Sequence, residues 1–224
     1  MSVRGTLGRI HLWLGWIVGV PLLLWTATGL FMVARPIEEV RGTALRRDPP
    51  PFVTGAAVVP AAGPLRALQV EVGPAGPYWV ATRADGSVAR ARMEDGSLLP
   101  PVSAQEARVI AAARYVPASP IVRVLRHAAE DAPIDLRQPR PSWQVRFEDG
   151  TNLYVDADSG RVLALRTRQW RWFDLMWGLH IMDVQSREDT SHPILIGFAA
   201  VSLVGVLIGI ILMPMAARRK RQGR

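Results

Sequence analysis

The sequence predicts an α+β domain flanked by two transmembrane α-helices, and three observations lead to this fold class. Two long uncharged apolar runs stand near the two ends of the chain. The segment between them contains short stretches of alternating apolar and polar residues bounded by Asp-Gly turns, which is the pattern of antiparallel strands. A helix-start signal precedes one set of these strands. We therefore expect a helix plus an antiparallel sheet, partly duplicated, between two membrane helices.

Each apolar run is long enough to cross a bilayer. Residues 10–33 carry no formal charge, and at about 1.5 Å of rise per residue a helix of this length exceeds the roughly 30 Å of a hydrocarbon core. The uncharged run from Pro193 to Ala217 meets the same requirement, and we place the second transmembrane helix at residues 193–215. The first run is far longer than the apolar segment of a cleaved signal peptide, so we expect an uncleaved anchor.

The short flanks of the two runs predict the orientation of the chain. Residues 1–9 contain Arg4 and Arg9, and residues 216–224 form a basic tail. Positive charge in short flanks stays on the cytoplasmic side, so both termini are expected in the cytoplasm and the middle of the chain outside it. The net charge of +8 is then explained by orientation and by anionic lipid. We expect the bilayer, and no nucleic acid, as a partner.

Two stretches of the middle segment resemble each other at an offset of 64 residues. The first, YWVATRADGSVARARMEDGSLL, begins at Tyr78, and the second, SWQVRFEDGTNLYVDADSGRVL, begins at Ser142. The second copy alternates apolar and polar residues with the period of a half-buried strand. Its Asp149-Gly150 pair predicts a two-residue hairpin of type I′, in which both central residues have positive φ. The middle segment therefore contains two related meanders.

A helix is predicted before the second meander only. Ser103 and Glu106 form a capping-box pattern that starts a helix of about a dozen residues. We therefore expect residues 103–168 to form a complete α+β module and residues 34–102 to contain a degenerate half-repeat. The segment 169–192, rich in tryptophan and too short to span a bilayer, is expected to form an interfacial helix and a loop.

These motifs resemble a bacterial family. A helix followed by a meander that ends LYVDADSGRVL resembles the PepSY domain, a small α+β module of exported and membrane-bound bacterial proteins. The flanking segments HLWLGWIVGVPLLLWTATGLFM and LMWGLHIMD…HPILIGF resemble the PepSY-associated transmembrane family. The resemblance implies a two-pass protein of the bacterial cytoplasmic (inner) membrane with a periplasmic PepSY-like domain.

The resemblance implies two alternative functions. Some PepSY domains accompany secreted peptidases, which implies a membrane-anchored periplasmic binding or regulatory module without catalysis of its own, with a periplasmic peptide or peptidase as partner. This is the default expectation. Larger PepSY membrane proteins resemble iron-uptake reductases that hold haem between membrane histidines. They imply a haem b-binding electron-transfer subunit of an iron-uptake or flavin-linked reductase, with a second copy or a membrane redox partner completing the site.

Three of the four histidines are candidate haem ligands: His11, His180 and His192. In the first apolar run, His11, Gly15 and Gly19 recur every four residues and share one helix face, which lets a helix or a flat macrocycle approach closely. The second run carries Gly205 and Gly209 at the same spacing. The plainer alternative is helix packing, with the imidazole at the level of the lipid headgroups.

The predicted topology limits how the histidines pair. His11 stands at the inner edge of the membrane, whereas His180 and His192 stand at the outer edge, so one chain cannot hold one haem between the two edges. A symmetric dimer would form one site at each edge. For His192, which precedes Pro193, capping of the second helix is the alternative role. His127 lies in a strand-like stretch and is expected to be structural.

The sequence lacks the motifs of the common enzyme classes. The sequence contains no G-x-S-x-G, P-loop, dinucleotide or H-E-x-x-H motif, and we expect no catalytic residues. It has no cysteine, which excludes disulfides and thiolate sites. A metal site is an alternative for one group of residues: His180, Asp183, Glu188, Asp189 and His192. Acidic loops beside a membrane are usually solvated, so we expect no metal there.

Overall fold

The structure is a computed structural model that describes residues 3–53 and 55–222. The first two and last two residues of the predicted cytoplasmic flanks, and Thr54, lie outside the described residues.

The described chain folds into helices at both ends and two sheets between them. The α-helices are α1 (Val3–Val33), α2 (Ile37–Arg41), α3 (Ala104–Arg114), α4 (Arg168–His180) and α5 (Pro193–Gln222). The strands are β1 (Leu65–Gly73), β2 (Gly76–Arg83), β3 (Val88–Arg92), β4 (Leu98–Leu99), β5 (Ile121–His127), β6 (Ser142–Phe147), β7 (Asn152–Asp156) and β8 (Val162–Arg166). They form two antiparallel sheets in the orders β1-β2-β3-β4 and β5-β6-β7-β8. This arrangement agrees with the predicted α+β class.

The chain divides into two compact units. The helical unit comprises the residues up to Arg35 and those from Trp172 onwards, and so contains α1, most of α4, and α5. The sheet unit comprises Pro36–Arg171 and contains both sheets together with α2 and α3.

Within the helical unit, α1 and α5 are both long and apolar enough to cross a membrane. The candidate spans are Val3–Val33 and Pro193–Pro214. The two helices contact each other, yet very little of either span is buried inside the protein. Trp16, for example, is 73% exposed. Such a large apolar surface is unfavourable in water and favourable in lipid, and a helix satisfies its own backbone groups there.

In the sheet unit, the two sheets repeat each other strand by strand. The offset of 64 residues that relates Tyr78 to Ser142 also relates β3 to β7. The indole N–H of Trp79 donates to the carbonyl of Val58 at 2.9 Å, and that of Trp143 donates to the carbonyl of Val102 at 2.7 Å. The same side chain therefore fastens the preceding segment to each sheet. Among the described residues of this unit, α3 stands directly before β5, whereas only the short α2 and a 3₁₀ turn at Thr43–Leu45 precede β1.

Helix α3 completes the second half of the duplication. The hydroxyl of Ser103 accepts the N–H of Glu106 at 3.1 Å, so the helix begins where the capping pattern predicts. Its buried residues Ala107, Ile110 and Ala111 pack in a core with side chains of β6 and β7. Burial of each large apolar side chain contributes about 1.5–3 kcal/mol. The small side chains of the helix let it lie close to the sheet.

The β6–β7 hairpin differs from the predicted two-residue turn. The N–H of Phe147 donates to the carbonyl of Thr151 at 2.8 Å, so the loop spans residues 148–150 and only Gly150 has a positive φ, of 84°. The Asp149 carboxylate accounts for the difference. It accepts the N–H of Thr151 at 2.8 Å and the hydroxyl of Tyr115 at 2.6 Å, contacts that hold Asp149 in an ordinary backbone conformation. Burial and the bond to Asp149 raise the pKa of Tyr115 to about 12, so this donor stays protonated at neutral pH.

Replacing Gly150 with valine should destabilise the expressed sheet unit by about 1 kcal/mol or more, because a β-branched residue disfavours positive φ. A Cβ at this position would come no closer than 3.5 Å to another residue, so backbone strain and not crowding is the cause. Gly150→Asn is the matched control, and it should cost less because asparagine tolerates the left-handed region. Chemical denaturation followed by circular dichroism measures both. Equal stability of Gly150→Val and the parent would refute this account of the hairpin.

Candidate functional site

His11 is held against α5 by one ring nitrogen. Its Nδ1 lies 3.1 Å from the carbonyl oxygen of Gly205. A carbonyl oxygen only accepts hydrogen bonds, so Nδ1 carries the proton and Nε2 keeps a free lone pair in the neutral ring. A Cβ at Gly209 would lie 3.0 Å from Cε1 of the imidazole. Glycine at this position therefore makes room for the ring.

His180, the last residue of α4, is held against α1 in the same way. Its Nδ1 lies 3.0 Å from the carbonyl oxygen of Trp25 and 3.2 Å from the hydroxyl of Thr28. That hydroxyl donates to backbone carbonyls of α1, so its oxygen accepts from the imidazole. The Trp25 ring stacks on the imidazole with centroids 4.6 Å apart, and a Cβ at Gly29 would lie 3.1 Å from it. Here too the neutral ring carries its proton on Nδ1 and leaves Nε2 free.

The two imidazoles stand at different levels of α1. His11 belongs to its first part, whereas His180 contacts Trp25, Thr28 and Gly29 near its end. At about 1.5 Å of rise per residue, His11 and the residues that contact His180 are separated by roughly 25 Å along the axis of α1. One chain therefore brings neither histidine within reach of the other, in agreement with the limit derived from topology.

The other two histidines have different surroundings. The carbonyl of His192 accepts the N–H of Ile196 at 3.1 Å, which places this residue at the start of α5. Its ring Nδ1 is buried and has no hydrogen-bond partner among the described residues, so this nitrogen does not cap the helix. His127 ends β5, and its Nε2 lies 3.1 Å from Oε1 of Gln144, a contact within the sheet. Its surroundings agree with the structural role expected for it.

A groove of about 210 Å³ runs between α1 and α5 beside His11. A Cβ at Gly15 or at Gly19 would meet no atom within 4 Å, so these glycines face the open groove and do not pack against a helix. Within one chain, these two glycines therefore take no part in the contact between α1 and α5. Ser202 also lines the groove, and its hydroxyl is buried without a partner among the described residues. The volume lies below the roughly 300–1,000 Å³ of typical ligand sites.

The loop after His180 is fixed by the carboxylate of Asp183. This group accepts the backbone N–H of Ser186 at 3.0 Å and those of Glu188 and Asp189 at 3.1 Å, together with the Ser186 hydroxyl. These hydrogen bonds, above all the one from the Ser186 hydroxyl, hold the pKa of the Asp183 carboxyl well below its usual range. Within residues 3–53 and 55–222, no three histidine or acidic side chains are placed to hold a metal ion.

A second set of contacts ties this loop back to α4. Arg187 forms an ion pair with the buried Asp174 at 2.6 Å, and its carbonyl accepts the indole N–H of Trp177 at 3.0 Å. A Cβ at Gly178 would lie only 2.7 Å from Cγ of Arg187. The chain is therefore held in place on both sides of His180. No sequence motif predicted these contacts of the loop with α4.

The family assignment rests on almost the whole chain. A family model described as the PepSY-associated TM region matches residues 8–224. The chain belongs to the PepSY-associated TM family. No curated protein and no solved structure matches it. The family match and the two apolar helices identify a membrane protein that sits in the lipid bilayer.

Replacing Gly209 with leucine should displace His11 and destabilise the full-length protein, because a side chain here enters the space of the imidazole. Overpacking of this kind costs about 1–3 kcal/mol. Gly197→Leu is the matched control on the same helix, since a Cβ there meets no atom within 4 Å. Thermal unfolding in detergent, followed by tryptophan fluorescence, should show a lower midpoint for Gly209→Leu only. Equal midpoints for the two variants would contradict the contact.

Proposed function

We propose that this protein is a haem b-binding transmembrane electron-transfer protein with His11 and His180 as ligands. One observation carries the proposal: each imidazole donates Nδ1–H to a backbone carbonyl of a neighbouring helix and keeps Nε2 free. Histidines that bind metals almost always donate their other ring nitrogen to a carbonyl or carboxylate, which fixes the tautomer and the ring orientation. This shared arrangement favours the second of the two functions implied by the family resemblance over the default.

Two copies of the chain together would supply the pairs of imidazoles that a haem needs. One chain offers one imidazole at each of two levels, and its groove is smaller than a typical ligand site. A symmetric homodimer would place two His11 side chains at one level and two His180 side chains at the other, with His192 as the alternative outer ligand. A haem held by two imidazoles supplies one-electron transfer. The protein's part is to fix the rings and keep water out.

The electron donor and acceptor would be partner proteins. The sequence contains no dinucleotide or flavin motif, so the chain would be at most the electron-transfer subunit of an iron-uptake or flavin-linked reductase. Two haem levels separated along α1 would form a path across the bilayer. No catalysis by the chain itself is proposed.

If haem b is bound by paired imidazoles, the purified full-length protein should be red, with a Soret band that sharpens and shifts on reduction with dithionite. His11→Ala and His180→Ala should each remove part of this spectrum, because each deletes the ligands of one level. His127→Ala is the control and should leave the spectrum unchanged, since this ring contacts Gln144 in the sheet unit. A colourless protein, purified from haem-replete cells and unaltered by added hemin, would refute the proposal.

We further propose an orientation with both termini in the cytoplasm and the sheet unit in the periplasm of the bacterial inner membrane. The basic residues of the short flanks support it. Alkaline phosphatase fused after Arg224 should therefore be inactive, and a fluorescent protein fused there should be fluorescent. Phosphatase fused after Pro141, inside the sheet unit, should be active. The opposite pattern at either site would overturn the orientation.

A second candidate function is that of a periplasmic binding or regulatory module, and one feature of the sheet unit favours it. A cleft in this unit has a buried arginine at its floor, Arg90. The free edge of β5 is less suited to binding, because its pairing is irregular between Ile121 and Arg123 and it carries the charges of Arg123 and Arg126. Irregular, charged edges resist the addition of a strand. A peptide, a peptidase or another periplasmic partner would then engage the cleft.

A further inference from the structure

The cleft of the sheet unit has the size of a small-molecule site. It encloses about 360 Å³ where the β1–β2 hairpin at residues 73–76 approaches the start of α3. Pro77 and Pro100 contribute apolar walls, and Tyr78 and Arg90 form the floor. The volume falls within the range of about 300–1,000 Å³ for ligand pockets.

The floor of the cleft contains a buried ion pair. The Arg90 side chain is 3% exposed and donates to both carboxylate oxygens of Glu106, at 2.5 and 3.0 Å, and to the carbonyl of Pro100 at 2.7 Å. Its guanidinium lies 5.3 Å from the centre of the Tyr78 ring, and its Nε–H has no acceptor among the described residues. Apolar side chains often stabilise a core as well as a buried ion pair does. The pair fastens β3 to the start of α3, and both side chains line the cleft.

The rim supplies a second pair of opposite charges. Arg92 and Glu94 are exposed, and both line the cleft above Arg90 and Glu106. The lining thus has two cationic and two anionic side chains. A simple anion or cation would meet a like charge at short range, whereas a ligand with both charges can pair with each.

We propose that this cleft binds a zwitterionic solute of amino-acid to dipeptide size. The ligand carboxylate would pair with Arg92, its ammonium group with Glu94, and its apolar body would pack on the prolines and Tyr78. This inference rests on the second candidate function, that of a binding module, and is independent of haem.

The test is calorimetric titration of the full-length protein in detergent with each of the twenty amino acids and with alanyl-alanine. At least one of these probes should bind saturably. Arg92→Ala and Glu94→Ala should each weaken that binding by about tenfold or more, because each removes a charge-assisted contact. Arg66→Ala is the matched control: this exposed arginine donates to the carbonyl of Ala84 outside the cleft, and its loss should change nothing.

Single-charge probes complete the experiment. Acetate and ethylammonium should bind far more weakly than the zwitterion. Equal affinity for either ion would overturn the dipolar specificity, and so would the absence of saturable binding by every probe. Zwitterion binding that survives both Arg92→Ala and Glu94→Ala would overturn the cleft as its site, while leaving the binding-module function standing.

Discussion

Two imidazoles join helices of the helical unit, because each donates its ring N–H to a backbone carbonyl of a neighbouring helix. A ring N–H that is kept from water without an acceptor costs about 1–3 kcal/mol. Gly205 on α5 supplies one acceptor and Trp25 on α1 supplies the other. Each bond joins two helices that are distant in the chain, and glycines at both contacts let the rings approach. Polar chemistry thereby contributes to helix association where burial of apolar surface cannot.

In the sheet unit, both meanders use the same contact to hold the segment of chain that precedes them. A tryptophan indole of each meander donates its N–H to a carbonyl of the preceding segment, that of Val58 in the first copy and that of Val102 in the second. In the second copy that segment leads into α3, which fills a core. The first copy has no comparable helix before it. Instead, Glu106 of α3 pairs with Arg90 of the first copy, so one helix serves both halves of the duplication.

Sequence reasoning reached the helices, the strands and the duplication because these depend on local periodicity and capping. It placed the β6–β7 turn correctly and described its geometry wrongly, since the Tyr115 hydroxyl that bonds to Asp149 comes from a distant part of the chain. It singled out His11 and His180 and could not identify their acceptors, which are backbone carbonyls with no signature in side-chain identity. It did not single out Arg90, because nothing in the strand pattern shows that this side chain is buried.

The hydrogen bonds from Nδ1 affect the free energy with which a ligand would bind at Nε2 of these imidazoles. A free histidine side chain loses rotational freedom when it is captured, and that loss weakens the resulting complex. Here the stacking of Trp25 on His180 and the carbonyl bonds have already removed that freedom during folding. If the proposed dimer binds haem, the free energy of bringing two chains together, and not the ordering of the imidazoles, would set the affinity at these two positions.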